Sequence, residues 1–201
     1  MADYSLKDLA DSYYASLPNK NVRQPKRVVL FSGVAGSGKS TVARTIEKEL
    51  HAVRVSNDDI RDRIVATYPT IGVEDREQAK FDMGTEILER LASKTSGLIV
   101  IDASCDRGYD HYRSWATKHG YAIVLLRMDI PRTLIEQRLH KRGDQGHRGV
   151  ARSLGMLDTW WRQWELFGKE HTPDLIISPE TPIEEVLRVV AGRKTTLPAN
   201  L

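Results

Sequence analysis

The stretch Leu30 to Thr41, LFSGVAGSGKST, fits the pattern G-x-x-x-x-G-K-[ST], with Gly33, Gly38, Lys39 and Ser40 at the required places. The spacing follows from the chemistry. A nucleoside triphosphate carries several anionic oxygens, and a compact loop surrounds them with backbone N–H donors only where side chains are absent. Gly33, Gly36 and Gly38 permit that approach, while Ala35, Ser37 and Thr41 complete the nucleotide-binding stretch. Lys39 places a cation at the β- and γ-phosphates, and the Ser40 hydroxyl suits a Mg²⁺ ion. A chance glycine–serine linker would lack the flanking pattern. Here an apolar run, Val28 to Phe31, precedes the loop, and an amphipathic segment with Val42, Ile46 and Leu50 on one face follows it.

Three further groups of residues could do chemistry with a bound triphosphate. The first is Asn57-Asp58-Asp59-Ile60-Arg61, beyond a short strand expected at 52–56, beside the P-loop strand. Asn57 or Asp58 either caps the next helix or, as a carboxylate at a strand end, Asp58 accepts the proton of an attacking hydroxyl. Arg61, one turn on, suits an anionic acceptor or the reacting phosphoryl group. The second is Asp102, which closes the apolar run Leu98 to Ile101 and is placed to hold Mg²⁺ directly or through water. The third is Arg138 and Arg142, four residues apart on one helical face. They either reach over the transferring phosphate or form a solvated basic helix end. The glycine-punctuated stretch GDQGHRGVAR that follows suits a lid.

The elements that must position these groups alternate. Helices are expected at 5–17, 41–50, 74–93, 109–119, after Pro131 and at 182–191, with strands at 28–31, 52–56, 98–102, 121–127 and 174–178. Pro131 suits a first helical position. Such alternation predicts an α/β fold: a five-stranded, mostly parallel sheet with helices on both faces. Trp160, Trp161 and Trp164 form either a packing cluster or a stacking wall for an aromatic acceptor.

Composition narrows the class. With 201 residues, 40% of them hydrophobic and 28% charged, the chain suits one globular domain rather than a disordered one. No apolar run is long enough to span a bilayer, and MADYSLKDLADSYY lacks a signal pattern. The single cysteine, Cys105, fits a reducing, cytoplasmic compartment and reads as an unreactive small side chain. Six histidines without paired spacing give no structural zinc site. The net charge is +3, yet 132–152 alone holds six Lys/Arg against two Asp/Glu, a basic island suited to a polyanionic ligand. The run Lys20 to Arg27 reads as a solvated linker.

Taken together, GVAGSGKST, SNDDIR, LIVID and a proline-initiated helix ending R-x-x-x-R-G resemble the AAA-type P-loop kinases of the polynucleotide kinase and zeta-toxin-like group. The resemblance spans about 27–178. It implies a three-layer P-loop fold of strand order 2-3-1-4-5, with Asp58 as general base and Arg61 as acceptor-binding residue. It further implies that Arg138 and Arg142 contact the ATP phosphates and the transferring group. In polynucleotide kinases the strand-end aspartate is typically followed by Thr-Asn, whereas here Ala103-Ser104 follows.

The expectation is an N-terminal helical extension over 1–25 and a P-loop kinase domain over 26–201. Catalysis falls to Lys39, Asp58, Arg138 and Arg142, with Ser40 and Asp102 at Mg²⁺. The activity expected is ATP-dependent phosphoryl transfer to a hydroxyl of a small-molecule or nucleotide-like acceptor. A polynucleotide 5′-hydroxyl kinase and a non-transferring ATPase acting as a nucleotide-dependent binding module are the alternatives.

Overall fold

A computed structural model describes residues 6–18, 22, 24–94, 97–143 and 150–192. Its elements run α1 (Leu6–Ser16), β1 (Arg27–Ser32), α2 (Lys39–Glu49), β2 (Val53–Ser56), α3 (Asn57–Thr67), α4 (Val73–Ser93), β3 (Leu98–Ser104), α5 (Tyr109–His119), β4 (Ala122–Met128), α6 (Arg132–Arg142), α7 (Val150–Glu170), β5 (Leu175–Ile177) and α8 (Ile183–Val190). The five strands form one sheet in the order β2-β3-β1-β4-β5, and every pairing is parallel.

Alternation within the strands builds two cores. Val28 and Leu30 of β1, with Ile99 and Ile101 of β3, face one side, where α1, α3, α4 and α5 cover them. Val29 and Phe31, with Leu98 and Val100, face the other, beneath α2, α6, α7 and α8. Both sheet faces are thus withdrawn from water, which is why these strands read as unbroken apolar runs. Each fully buried Ile or Leu is worth about 1.5–3 kcal/mol over its exposed state. On α4 the stripe Ala79, Met83, Ile87 and Leu91 is buried.

Helix α1 seals one side of the first core. Ala10, Tyr13, Tyr14 and Leu17 are buried. The buried hydroxyl of Tyr13 accepts from the backbone N–H of Ser56 at 2.9 Å, and Arg90 on α4 pairs with Asp11.

Four expectations need correcting. The strand order is the 2-3-1-4-5 that the resemblance implies, and it corrects the placing of the Asp58 strand beside β1: β2 lies at the sheet edge beside β3, which pairs with both. The cap of α3 is Ser56, whose Oγ accepts from the Asp59 N–H at 3.2 Å, rather than Asn57 or Asp58. The strand simply runs one residue into the helix, and the last strand residue takes the cap. Pro131 is likewise the residue before α6, with extended backbone at ψ 135°, rather than its first helical residue. Finally the loop expected to run through Arg152 ends earlier, for α7 is 21 residues long and begins at Val150. Leu154 and Leu157 continue its apolar stripe toward Trp160 and Trp164 in the second core, so the end of the expected loop is helical. The rest of that loop, 144–149, lies outside the described residues, as does part of the linker over 20–27.

Candidate functional site

The glycine loop leaves β1 at the centre of the sheet and enters α2, where the carboxyl ends of the strands converge. Gly36 and Gly38 have φ of +82° and +100°, left-handed values that a side chain resists. Gly38 is also the residue before the first turn of α2, so free helical N–H groups open toward the loop. A Cβ on Gly33 would sit 2.9 Å from Met128 Cβ, so the start of the loop has no room for any other residue.

Lys39 lies half-buried in this cradle. Its Nζ donates to the carbonyls of Gly33 and Val34 at 2.8 and 2.7 Å. Burial pushes its ammonium down to about 8, while the charges of Asp106, Asp102 and Asp58 oppose that shift. Ser40 Oγ donates to Oδ1 of Asp102 at 2.8 Å. The other oxygen of Asp102 accepts from Arg54 Nη1 at 2.6 Å, and the same guanidinium reaches Glu47 and Asp59, each at 3.1 Å. Register explains the meeting: Ser56 of β2 is level with Asp102 of β3, so Arg54 lies two residues back on the neighbouring strand.

A cleft of about 870 Å³ opens over the loop, lined by Lys39, Ser40, Asp58, Arg61, Asp102 and Arg142 among others. Asp58 projects into it with its side chain 61% exposed, and Oδ1 accepts from the buried Arg61 at 2.7 Å. Because Ser56 takes the cap, Asp58 is left free to face the cleft. Arg142 stands at the rim. Arg138 is placed differently: its Nη1 donates to the carbonyls of Gly36 and Ser37 at 3.4 and 3.3 Å, holding α6 on the loop. Trp160 reaches the cleft as well as the core, and Trp164 lies under the Arg127 guanidinium at 4.0 Å from its ring centroid.

Sequence reasoning missed several residues of this site. Asp106 accepts from the Gly33 N–H at 3.3 Å and from Ser104 Oγ at 2.8 Å. Its second oxygen is buried with no hydrogen-bond partner among the described residues. The signal was an acid four residues beyond Asp102. Arg54 was legible as a lone cation between two apolar strand residues. Lys80, Phe81 and His111 also line the cleft, and no motif marks them. Cys105 is buried, and burial together with Asp106 pushes its thiol far above the usual range, which leaves it unreactive.

The residues fit a Mg²⁺ ion bound with a nucleotide. A hydroxyl and a carboxylate already meet at Ser40 and Asp102, and Mg²⁺ takes few protein ligands, filling its shell with water and phosphate. Among the described residues no three His, Cys, Asp or Glu side chains converge on a metal site.

Fold and loop together define the three-layer α/β P-loop fold, with the architecture of the P-loop kinases. Over residues 28–167 the chain matches the family described as AAA domain, and it belongs to that family. No curated protein matches it in sequence. Among solved structures, a candidate kinase of Chloroflexus aurantiacus superposes with a TM-score of 0.60 at 13% identity, over 85% of this chain and 96% of the other. One chain of the Pnkp1/Rnl/Hen1 RNA repair complex gives 0.60 at 20% identity, over 76% of this chain and 48% of that one. Shikimate kinase from Acinetobacter baumannii gives 0.51 at 16%, over 89% and 99%. At these identities the likeness is one of fold.

Proposed function

We propose that the protein is an ATP-dependent phosphotransferase that moves the γ-phosphoryl group to a hydroxyl of a small-molecule or nucleotide-like acceptor. One observation carries the reading: the Asp58–Arg61 pair faces the same cleft as Lys39, and the Asp58 charge is felt at the Lys39 ammonium. A nucleotide switch needs the loop and the magnesium residues, but has no use for a carboxylate–arginine pair opposite them.

The steps follow from the chain's own groups. Lys39 exchanges the carbonyls of Gly33 and Val34 for the β- and γ-phosphate oxygens. Asp58 takes the proton of the acceptor hydroxyl as its oxygen bonds to the γ-phosphorus, while the bond to the bridging oxygen breaks and ADP leaves. Its exposed side chain passes the proton to water. Arg61 holds the acceptor beside Asp58, and Arg142 at the rim spreads the developing charge. Arg138 keeps the loop in its binding shape through the Gly36 and Ser37 carbonyls. Ser40 and Asp102 would hold a Mg²⁺ ion, which would supply neutralising charge at the phosphates.

A polynucleotide 5′-hydroxyl end is the second acceptor class, favoured by the cations Arg44, Lys80 and Arg107 along the open cleft. The test is ADP release and label transfer from ATP with a panel of hydroxyl metabolites and 5′-hydroxyl oligonucleotides. Transfer to one acceptor, abolished by Lys39→Ala, is expected. ATP hydrolysis indifferent to every acceptor would leave a non-transferring ATPase.

A further inference from the structure

At Asn57, the neighbour of Asp58, the cleft continues into a small side pocket. Its volume is about 70 Å³, and Asn57, Lys80, Phe81, His111 and Tyr112 line both spaces. The walls are rings: Phe81 and His111 lie 4.7 Å apart between centroids, and His111 and Tyr112 5.6 Å. The floor is the buried pair Leu88 and Ile101. Thr85 Oγ1 lies 3.3 Å from His111 Nε2, which fixes that ring on edge. Phe81 is 49% exposed, a large apolar face turned to water inside a cleft.

Gly84 makes this pocket more than a surface irregularity. It sits mid-way along the 21-residue α4, where a glycine costs about 1 kcal/mol against alanine. Helical glycines are usually tolerated for close packing, yet a Cβ built on Gly84 meets nothing within 4 Å. With Lys80, Phe81, Thr85 and Leu88 it occupies one face of the helix, so the missing side chain leaves space in the pocket. The protein gives up helix stability and fills that room with nothing of its own.

We infer that this pocket is the specificity subsite of the acceptor, and that it takes a single planar ring whose attached hydroxyl reaches Asp58. The inference rests on the phosphotransferase reading. Size excludes a fused pair: a cavity of about 150 Å³ encloses one benzene, so 70 Å³ admits the inner part of one six-membered ring, the rest lying in the cleft that shares its lining. Composition favours a planar one, since Phe81, His111 and Tyr112 bring rings to the lining and Asn57, Thr85 and Lys80 bring its other polar atoms. Asn57 adjoins Asp58 in sequence, so a ring in the pocket leaves its side arm beside the carboxylate. Pyrimidine nucleosides and aryl alcohols share this chemistry.

The test uses the full chain with cytidine and 2-phenylethanol as ring probes, and glycerol and a 5′-hydroxyl oligonucleotide as controls. ADP release from MgATP and the NMR side-chain resonances of His111 are followed in wild type, Gly84→Ala and Gly84→Leu. Both variants remove a helical glycine, so thermal unfolding confirms that they fold. The expected result is a saturable His111 shift with a ring probe and ADP release well above that with glycerol. Gly84→Leu raises the KM for that probe at least tenfold with the KM for ATP unchanged, and Gly84→Ala falls between. A response to cytidine alone assigns a nucleoside, and to 2-phenylethanol alone an aryl alcohol. A His111 shift lost in Gly84→Leu without any ADP release supports the subsite and sinks the phosphotransferase reading instead. Turnover of glycerol or the oligonucleotide with no ring probe bound, equal rates in Gly84→Leu and wild type, or no effect of either ring probe on His111 overturns the inference.

Discussion

Arg54 Nη1 stands 2.6 Å from Oδ2 of Asp102, and this contact turns the other carboxylate oxygen toward Ser40. The guanidinium is itself held by Glu47 and Asp59, so the edge strand orients a residue on its neighbour. Partners of this kind around a metal ligand are worth about 10–100-fold in metal affinity or activity. For Arg54→Gln, the Mg²⁺ concentration giving half-maximal ATP turnover should rise about tenfold, with partial recovery in Arg54→Lys. Rates measured against Mg²⁺ decide it. An unchanged Mg²⁺ profile would mean that Asp102 needs no help from the edge strand.

The proposed base, Asp58, and the helix cap, Ser56, are different residues. Asp58→Asn should lower kcat by about 10²–10⁴ while ATP affinity and melting temperature stay near wild type, because the cap is elsewhere. Ser56→Ala should instead cost about 1 kcal/mol of stability, read by denaturant unfolding. Wild-type phosphoryl transfer by Asp58→Asn would remove its role as base.

Lys39 gives a pH dependence of definite sign. Burial lowers its ammonium to about 8 against the pull of Asp106, Asp102 and Asp58, so above that pH the free protein increasingly holds a neutral amine. Triphosphate favours the charged form and raises the pKa on binding. ATP binding should therefore take up a proton above pH 8, and affinity should fall there by up to tenfold per pH unit. Calorimetry in buffers of different ionisation enthalpy, at pH 7.5 and 9, counts that proton. The same lowered pKa makes this group's contribution to folding least favourable below pH 8 and relieves it as pH rises toward 10.5, the ordinary lysine value. Equal proton uptake at both pH values contradicts the assignment.

A buried hydrogen bond, Ser56 N–H to Tyr13 Oη at 2.9 Å, ties α1 to the start of the helix that carries Asp58. Tyr13→Phe leaves that N–H unsatisfied in the core, at a cost of about 1–3 kcal/mol. Denaturant unfolding should show the loss, with kcat falling as well, since Ser56 begins the turn that carries Asp58. If stability falls and kcat holds, α1 is a structural brace alone.

Much of this molecule was legible in residue order, and the reasons are local. Glycine spacing, Lys39 and Ser40 specify a phosphate cradle because backbone N–H groups approach an anion only where side chains are missing. Apolar runs such as Leu98 to Ile101 announce strands buried on both faces. Asp58 and Asp102 are found at strand ends for the same reason. The start of α7 was missed because Gly143, Gly146 and Gly149 made the stretch through Arg152 read as a loop, although Leu154 and Leu157 just beyond carry the helical stripe.

What residue order determined, then, was the nucleotide cradle, the alternating α/β elements and the acids and cations near the strand ends, since each depends on neighbours a few residues apart. Only the tertiary structure decided that Arg54 clamps Asp102, that Arg138 grips the loop's carbonyls, and that α4 and α5 meet around an open pocket at Gly84. Those relations join residues from about 25 to 100 positions apart, and they exist only once both faces of the sheet are buried and the register between strands is set.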